Sequence, residues 1–171
     1  MNMSDKVLVT YASKHGATAE IAEKIGGILR EAGVDIDIMP VKQAKDPSAY
    51  GAVVLGSAAY IGQWRKDAVK YLKENAASLG QRPVWLFYSG PAGEGDPVEL
   101  LKGRIYPPGL QPTIDTIKPR DIAVFHGDVR PEKFGKLERL VIKSVKSPMG
   151  DFRDWDAIDA WAKGIAAELK K

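Results

Sequence analysis

The chain has 171 residues, of which 44% are apolar and 27% are charged. This length and composition are typical of one soluble globular domain, and we expect a single domain over residues 1–171. The absence of cysteine excludes disulfides, thiolate nucleophiles and cysteine-bound metal or iron–sulfur centres. His15 and His126 are the only histidines, so we expect no metal site, and redox chemistry would need an organic cofactor.

The basic residues are unevenly placed along the chain. The net charge is +3, yet residues 130–146 alone hold six bases against two acids. The rest of the chain is therefore close to neutral, and the basic segment needs a local explanation.

The apolar runs and the N-terminal segment bear on cellular location. No apolar run reaches the roughly 18 residues of a membrane-spanning helix. The segment MNMSDKVLVT passes directly into a predicted strand, so we expect no signal or transit peptide and a cytoplasmic location. We expect no nucleic-acid partner, and the sequence leaves the oligomeric state open.

Short apolar runs bounded by turn residues predict five strands. They are Lys6–Tyr11, Val34–Met39, Ala52–Leu55, Val84–Tyr88 and Ile122–His126. The first, third and fourth runs are continuously apolar, which is typical of parallel strands covered on both faces. The second run alternates between apolar and polar residues and predicts an edge strand.

Segments with apolar residues at helical spacing lie between these strands. The apolar positions are Ala19, Ala22, Ile25 and Leu29 in the first segment, Ala68, Val69, Leu72 and Ala76 in the second, and Ile158, Ala162, Ile165 and Leu169 in the last. The first helix is predicted to follow Thr18 and stop at Gly33, and close packing on the sheet would explain Gly26 and Gly27 within it. The last helix is predicted from about Trp155 with Asp154 as its N-cap.

Alternating strands and helices predict an α/β, doubly wound, mostly parallel sheet whose ligand site lies outside the carboxyl ends of the strands. Two long connections follow the fourth and fifth predicted strands. Residues 90–120 are rich in proline and glycine and are predicted to be irregular, whereas residues 127–150 carry the basic segment.

The loop SKHGAT after the first strand has the composition of an anion site. The start of a helix offers unpaired N–H groups, Gly16 allows close approach, and Ser13 and Thr18 add hydroxyl groups. The plain alternative is a loop in which Thr18 only caps the helix. The chain lacks a dinucleotide fingerprint, a P-loop, a phosphatase cysteine, and the acidic strand ends of a response regulator.

Two further loops are predicted to complete a pocket at the same edge. The third strand runs into GSAAYIGQW, where small residues let a flat ring approach and Tyr60 or Trp64 offers a stacking surface. The alternative for either aromatic residue is packing beneath the loop. The fourth strand runs into SGPAGEG, which offers more backbone donors.

These features resemble the flavodoxin superfamily over nearly the full length of the chain. The resemblance implies a flavodoxin-like three-layer sandwich with strand order 2-1-3-4-5 and noncovalent FMN. It places the phosphate and the isoalloxazine ring on three groups of residues: Ser13, Lys14, His15, Gly16, Ala17 and Thr18 for the phosphate, and Ser57, Ala58, Ala59, Tyr60, Ile61 and Gly62 with Ser89, Gly90, Pro91, Ala92 and Gly93 for the ring. His15 stands where the family usually has a hydroxyl residue. It either donates to the phosphate or points outward, and we expect the outward orientation.

The second half is similar to a narrower family, the flavodoxin-fold menaquinone-dependent protoporphyrinogen IX dehydrogenases. The similarity lies in IAVFHGDVRPEKFGKLERLVIKSVKSPMG and in the DWDAIDAWAKGIAAEL that opens the last helix. On a helix, Phe134, Leu137, Val141 and Val145 share one side and Lys136, Arg139, Lys143 and Lys146 the other. This basic amphipathic insertion is either packed on the domain, in contact with an anionic membrane surface, or a lid over the flavin.

The resemblance implies an FMN-dependent oxidoreductase that takes electrons from a porphyrinogen, or another reduced small molecule, and passes them to a quinone. Candidate substrate-binding cations are Arg65, Arg130, Lys133 and Lys136, and no catalytic acid or base is assigned. His126 is expected to be a hydrogen-bonded structural residue. A flavodoxin-type electron carrier, a quinone reductase with another donor and a nonflavin regulatory module remain alternatives. Electron carriers of the family are typically acidic around the flavin, unlike this basic chain.

Overall fold

The structure is a computed structural model that describes residues 5–60, 62–146 and 148–171. Its strands are β1 (Val7–Ala12), β2 (Ile36–Pro40), β3 (Ala52–Tyr60), β4 (Gln63–Trp64), β5 (Val84–Ser89) and β6 (Asp121–Phe125). Five of them are parallel and lie in the order β2-β1-β3-β5-β6, while the short β4 pairs antiparallel with the end of β3. The predicted parallel sheet and the edge position of the second strand are confirmed.

The helices are α1 (Ala17–Glu31), α2 (Lys66–Glu74), α3 (Ala76–Leu79), α4 (Pro97–Leu100), α5 (Gln111–Ile117), α6 (Lys136–Ser144) and α7 (Trp155–Leu169). Successive residues of a strand point to opposite faces of the sheet, and each face has its own apolar cluster. One cluster joins the sheet to α1 and α7, and the other joins it to α2, α3 and α5. The fold is therefore the three-layer α/β arrangement that the sequence predicts.

The first helix begins earlier than predicted. Its N-cap is Gly16 and not Thr18, which lies buried inside the first turn. A Cβ atom on Gly26 would lie 2.2 Å from Cδ1 of Ile38, so close packing on β2 explains this glycine. A Cβ atom on Gly27 would meet nothing within 4 Å, so the same explanation is wrong there.

The connection between β5 and β6 is more regular than predicted. It contains α4 and α5, so the prediction of an irregular excursion is wrong for these segments. Pro112 lies in the first turn of α5, where a missing N–H group costs nothing, and Ile114 and Ile117 bury their side chains. The proline that suggested irregular structure therefore lies at the start of a helix that helps to cover this side of the sheet.

The segment between β6 and α7 leaves the sheet and returns to it. Val129 and Gly150 exchange two backbone hydrogen bonds of 2.7 and 3.2 Å, and Asp128 bridges to Asp151 beside them. This pairing closes a long loop over residues 129–150 that contains α6, and this loop is called the excursion below. In the part of the chain that the structure describes, no helix is long and apolar enough to cross a membrane.

Candidate functional site

A cavity of about 760 Å³ lies at the carboxyl-end edge of the sheet. The loops after β1, β3, β5 and β6 contribute to its walls, as does α6. This is the edge at which a doubly wound sheet places its ligand. The volume is in the range of about 300–1,000 Å³ that is usual for small-molecule sites.

The loop between β1 and α1 forms one end of the cavity. Gly16 has a φ of 90°, a conformation that favours glycine, and its N–H group donates to Oγ of Ser13 at 3.0 Å. The first backbone bond of the helix runs from Glu20 to the Gly16 carbonyl. Among the described residues, the N–H groups of residues 17–19 have no acceptor, so the helix start presents free donors to an anion.

Thr18 connects this loop to the end of β5. Its Oγ1 lies 2.8 Å from Oγ of Ser89, and both side chains are buried. Thr18 therefore holds two walls of the cavity together, a role that differs from the capping alternative considered from the sequence.

The end of β3 and the turn into β4 form a second wall. Ser57 is fully buried. Its hydroxyl donates a hydrogen bond to the Ala58 carbonyl and accepts one from the backbone N–H group of Arg65. It fixes the hairpin and does not line the cavity, whereas Ala58, Ala59, Tyr60 and Gly62 do. Ile61 lies outside the described residues.

The two aromatic residues of this hairpin have different roles. Tyr60 lines the cavity and is 44% exposed, so its ring is free to stack on a ligand. Trp64 is buried, with its ring centroid 5.6 Å from that of Tyr88, which favours the packing alternative for Trp64. Burial raises the pKa of Tyr88 to about 12, so this cavity residue stays protonated at neutral pH.

Two glycines let the loops after β5 and β6 pack closely. A Cβ atom on Gly90 would lie 2.9 Å from the Ala59 carbonyl oxygen, and one on Gly127 would lie 3.2 Å from Gly90. His126 is buried, with its ring nitrogens 3.2 Å from the Pro91 carbonyl and 2.8 Å from the Gly95 carbonyl. The prediction of a structural histidine is confirmed, because His126 holds the loop after β5 in place.

Helix α6 supplies the apolar wall. Val141 and Ile142 of α6 line the cavity together with Phe134 and Val145, which flank the helix, and Phe134 and Ile142 are buried. Leu137, by contrast, is 80% exposed, so the predicted apolar side does not pack as one surface. Ile142, which is not among the residues predicted for that side, is the buried contact of the helix.

The expected outward orientation of His15 is wrong. Its Nε2 lies 2.7 Å from Oε2 of Glu138 on α6, and its ring centroid lies 4.6 Å from that of Phe134. Nζ of Lys14 lies 3.3 Å from the other oxygen of the same carboxylate. Desolvation raises the pKa of Glu138, but the bonds from His15 and Lys14 outweigh it and hold that pKa below its ordinary value.

Three cations surround the buried carboxylate of Asp128. Arg130, Lys133 and Arg153 approach its Oδ2 to 2.6, 2.7 and 3.3 Å. The hydrogen bond from Arg130, with support from Lys133, holds the pKa of Asp128 far below its ordinary value despite burial. Arg153 also pairs with Asp151 and with Glu20 of α1, so this network attaches the excursion to the first helix.

The predicted substrate-binding cations are therefore placed differently from one another. Arg65 lines the cavity, with its side chain 34% exposed and its Nε 3.7 Å from Oδ1 of Asp67. Arg130 and Lys133 belong to the Asp128 network and do not line the cavity, and neither does Lys136, which is exposed on α6.

Most of the other predicted site residues do line the cavity. These are Ser13, Lys14, His15, Ala17, Thr18, Ala58, Ala59, Tyr60, Gly62, Ser89, Gly90, Pro91 and Ala92. Gly16, Ser57 and Gly93 instead shape the loops behind it. The predicted site set omits further lining residues, namely Lys42, Gln63, Trp64, Lys66, Asp67, Tyr88, Leu101, Gly127, Asp128, Val129, Phe134, Val141, Ile142 and Val145. For α6 a signal existed, since its apolar residues follow the helical period.

A family model described as "Flavodoxin domain" matches residues 8–156. The chain belongs to this flavodoxin-domain family. It is also 24% identical over 182 residues to the protoporphyrinogen IX dehydrogenase [quinone] of Escherichia coli (strain K12), and the match covers 94% of each chain.

Solved structures show the same fold as this flavodoxin-domain chain. A flavodoxin from the domain Archaea superposes with a TM-score of 0.63 at 16% identity and covers 97% of this chain and 99% of its own. The rubredoxin oxygen:oxidoreductase of Desulfovibrio gigas gives a TM-score of 0.63 at 16% identity and covers 98% of this chain, which corresponds to 37% of that larger protein. At these identities the comparisons establish the flavodoxin fold alone.

Proposed function

We propose that this chain is an FMN-dependent oxidoreductase that oxidises a porphyrinogen, or a similar reduced small molecule, and passes the electrons to a quinone. The similarity to protoporphyrinogen IX dehydrogenase supports the substrate class. The observation that carries the proposal is the cavity itself, since one continuous space joins the free N–H groups at the start of α1 to the apolar wall of α6.

The residues around the cavity fit FMN. The free N–H groups at the start of α1, with the hydroxyl of Ser13, would hold the phosphate. The small side chains of Ala58 and Ala59 leave room for a flat ring, and Tyr60 would stack on it. When bound, FMN would supply the chemistry of accepting two electrons from the donor and returning them to the acceptor.

The remaining residues would orient the donor and exclude water. Phe134, Ile142 and Val145 offer apolar surface to a macrocycle or to a quinone. Arg65 is the predicted cation that faces the cavity, and its guanidinium would pair with a substrate carboxylate. Tyr88 stays protonated and would not act as a base at neutral pH.

The outer surface of α6 supports a proposal about location. Leu137 and Leu140 are 80% and 63% exposed beside Lys136 and Lys143. Apolar and basic residues on one exposed helix suit peripheral contact with an anionic membrane surface, where a lipid quinone would be found. Apart from this contact with the membrane surface, we expect the chain to be cytoplasmic.

The experiment that tests the proposed reaction is anaerobic absorption spectroscopy of the FMN-loaded protein. Addition of protoporphyrinogen IX should bleach the absorption band of the bound flavin, and subsequent addition of a quinone should restore the band. Arg65→Gln should slow the bleaching about tenfold, because one charge-assisted bond to substrate is lost. Lys70→Gln, on the exposed face of α2, is the control and should leave the rate unchanged.

Two results would separate the alternatives. A bound flavin that protoporphyrinogen leaves oxidised, but that a reduced redox protein reduces, would favour the electron carrier. A flavin that only a different small-molecule donor bleaches would favour a quinone reductase of other specificity.

A further inference from the structure

Helix α6 is attached to the rest of the molecule by few contacts. Ile142 is its only buried residue, whereas Leu137 and Leu140 are largely exposed. Side-chain bonds from Arg139 and Ser144 stay within the same excursion. For the described residues, the Glu138 carboxylate makes the only polar side-chain link from α6 to another part of the fold.

That link ends on the proposed phosphate loop. One oxygen of Glu138 contacts His15 at 2.7 Å and the other contacts Lys14 at 3.3 Å. The contacts join positions more than a hundred residues apart in sequence, so they fix how α6 sits on the loop. The ring of His15 also packs against Phe134, which adds an apolar contact to the ionic one.

The position of α6 determines whether the cavity has its apolar wall. Val141 and Ile142 of this helix and Val145 just after it line the cavity, and Val141 and Ile142 lie about one turn beyond Glu138. A ligand that fills the cavity from the proposed phosphate loop would contact this wall. The same carboxylate is also a negative charge beside an anion site, so its charge and its tethering act on a bound phosphate in opposite directions.

We propose that Glu138 is a positioning residue that tethers α6 to Lys14 and His15 and thereby slows the release of FMN from the cavity. The inference rests on the proposed function, because it assumes that FMN is the occupant. It assigns Lys14 and His15 to the tether, in addition to any contact they make with the phosphate.

The test measures flavin release from the full chain by stopped-flow fluorescence, with FMN and with riboflavin, which lacks the phosphate. Glu138→Gln should accelerate the release of both flavins about three- to tenfold, since the partly buried ion pairs with Lys14 and His15 are lost. Glu138→Asp should restore part of the slow release. The matched control is Glu132→Gln, which removes an exposed acid from the turn before α6. The side chain of Glu132 makes no hydrogen bond to any of the described residues, so this variant should leave both rates unchanged.

A comparison of FMN with riboflavin distinguishes tethering of α6 by Glu138 from repulsion of the phosphate by its carboxylate. If Glu138→Gln slows FMN release and leaves riboflavin release unchanged, the carboxylate acts only by repelling phosphate and the inference is overturned. Unchanged rates for both flavins overturn it as well.

Hydrogen exchange of the flavin-free protein keeps the inference separate from the proposed function. Glu138→Gln should increase exchange at the amides of α6 and leave α7 unchanged. If the unmodified chain binds neither flavin, the proposed function fails, and the part of the inference that concerns release fails with it. If flavin binds normally but α6 exchange and both release rates are unaffected, only the inference fails.

Discussion

Gly16 decides the shape of the loop that is proposed to bind phosphate. With φ at 90°, its N–H group reaches Oγ of Ser13 and its carbonyl accepts the first bond of α1. The sequence pattern of hydroxyl residues around a glycine was sufficient to predict this loop. The pattern did not reveal where the side chains of Lys14 and His15 lie, because their partner, Glu138, is supplied by a distant helix.

Gly16→Ala should destabilise the protein by about 1–2 kcal/mol, because an L-residue is strained at this φ even though the space for a Cβ atom is open. Urea unfolding would measure the loss, and an FMN titration should show weaker binding. Gly27→Ala is the matched control: it has open space and lies inside α1, so it should stabilise the protein by about 0.5–1 kcal/mol. Equal effects of the two substitutions would contradict this account of the loop.

Helix α6 and its excursion are the elements that the sequence predicted least well. The helical period located α6 and placed Leu137 and Val141 on its apolar side, but Leu137 is exposed and Ile142 is the buried residue of the helix. The contacts of Glu138 and Ile142 decide the orientation, and neither follows from local spacing. For the same reason Arg130 and Lys133 were interpreted as substrate cations, since the burial of Asp128 between them is a tertiary feature.

Asp128→Asn should destabilise the protein by about 2 kcal/mol at pH 7, because Arg130, Lys133 and Arg153 then lose the carboxylate they share. The pKa of Asp128 lies far below its ordinary value, so its contribution is present above about pH 4 and is lost as the pH falls towards the lower, folded-state pKa. Urea unfolding at several pH values would show both effects.

The free energy of unfolding of Asp128→Asn should therefore depend less on pH in the acid range than that of the unmodified chain. Asp115→Asn, at an exposed position on α5 where an amide still accepts the bond from Gln111, is the control. If Asp128→Asn and the unmodified chain lose the same stability on acidification, the proposed role of Asp128 is excluded.

Taken as a whole, the molecule places its chemistry where strand order dictates. The five parallel strands and the cavity at their carboxyl ends followed from apolar runs bounded by turn residues such as Gly33. The predicted end of the third strand at Leu55 was wrong, since β3 continues through Gly56 to Tyr60. The helix over residues 111–117 was missed because proline was interpreted as a sign of irregular structure, whereas Pro112 lies in the first turn of this helix. The single-domain assignment and the FMN contacts remain predictions.

The proposed function requires that the cavity bind FMN through the loop before α1. The most direct measurement is a fluorescence titration of the flavin-free protein with FMN and, separately, with riboflavin. FMN should bind about a hundredfold more tightly or better, because its phosphate accepts several charge-assisted hydrogen bonds at the helix start. Equal affinity for the two flavins, or no binding of either, would contradict the account.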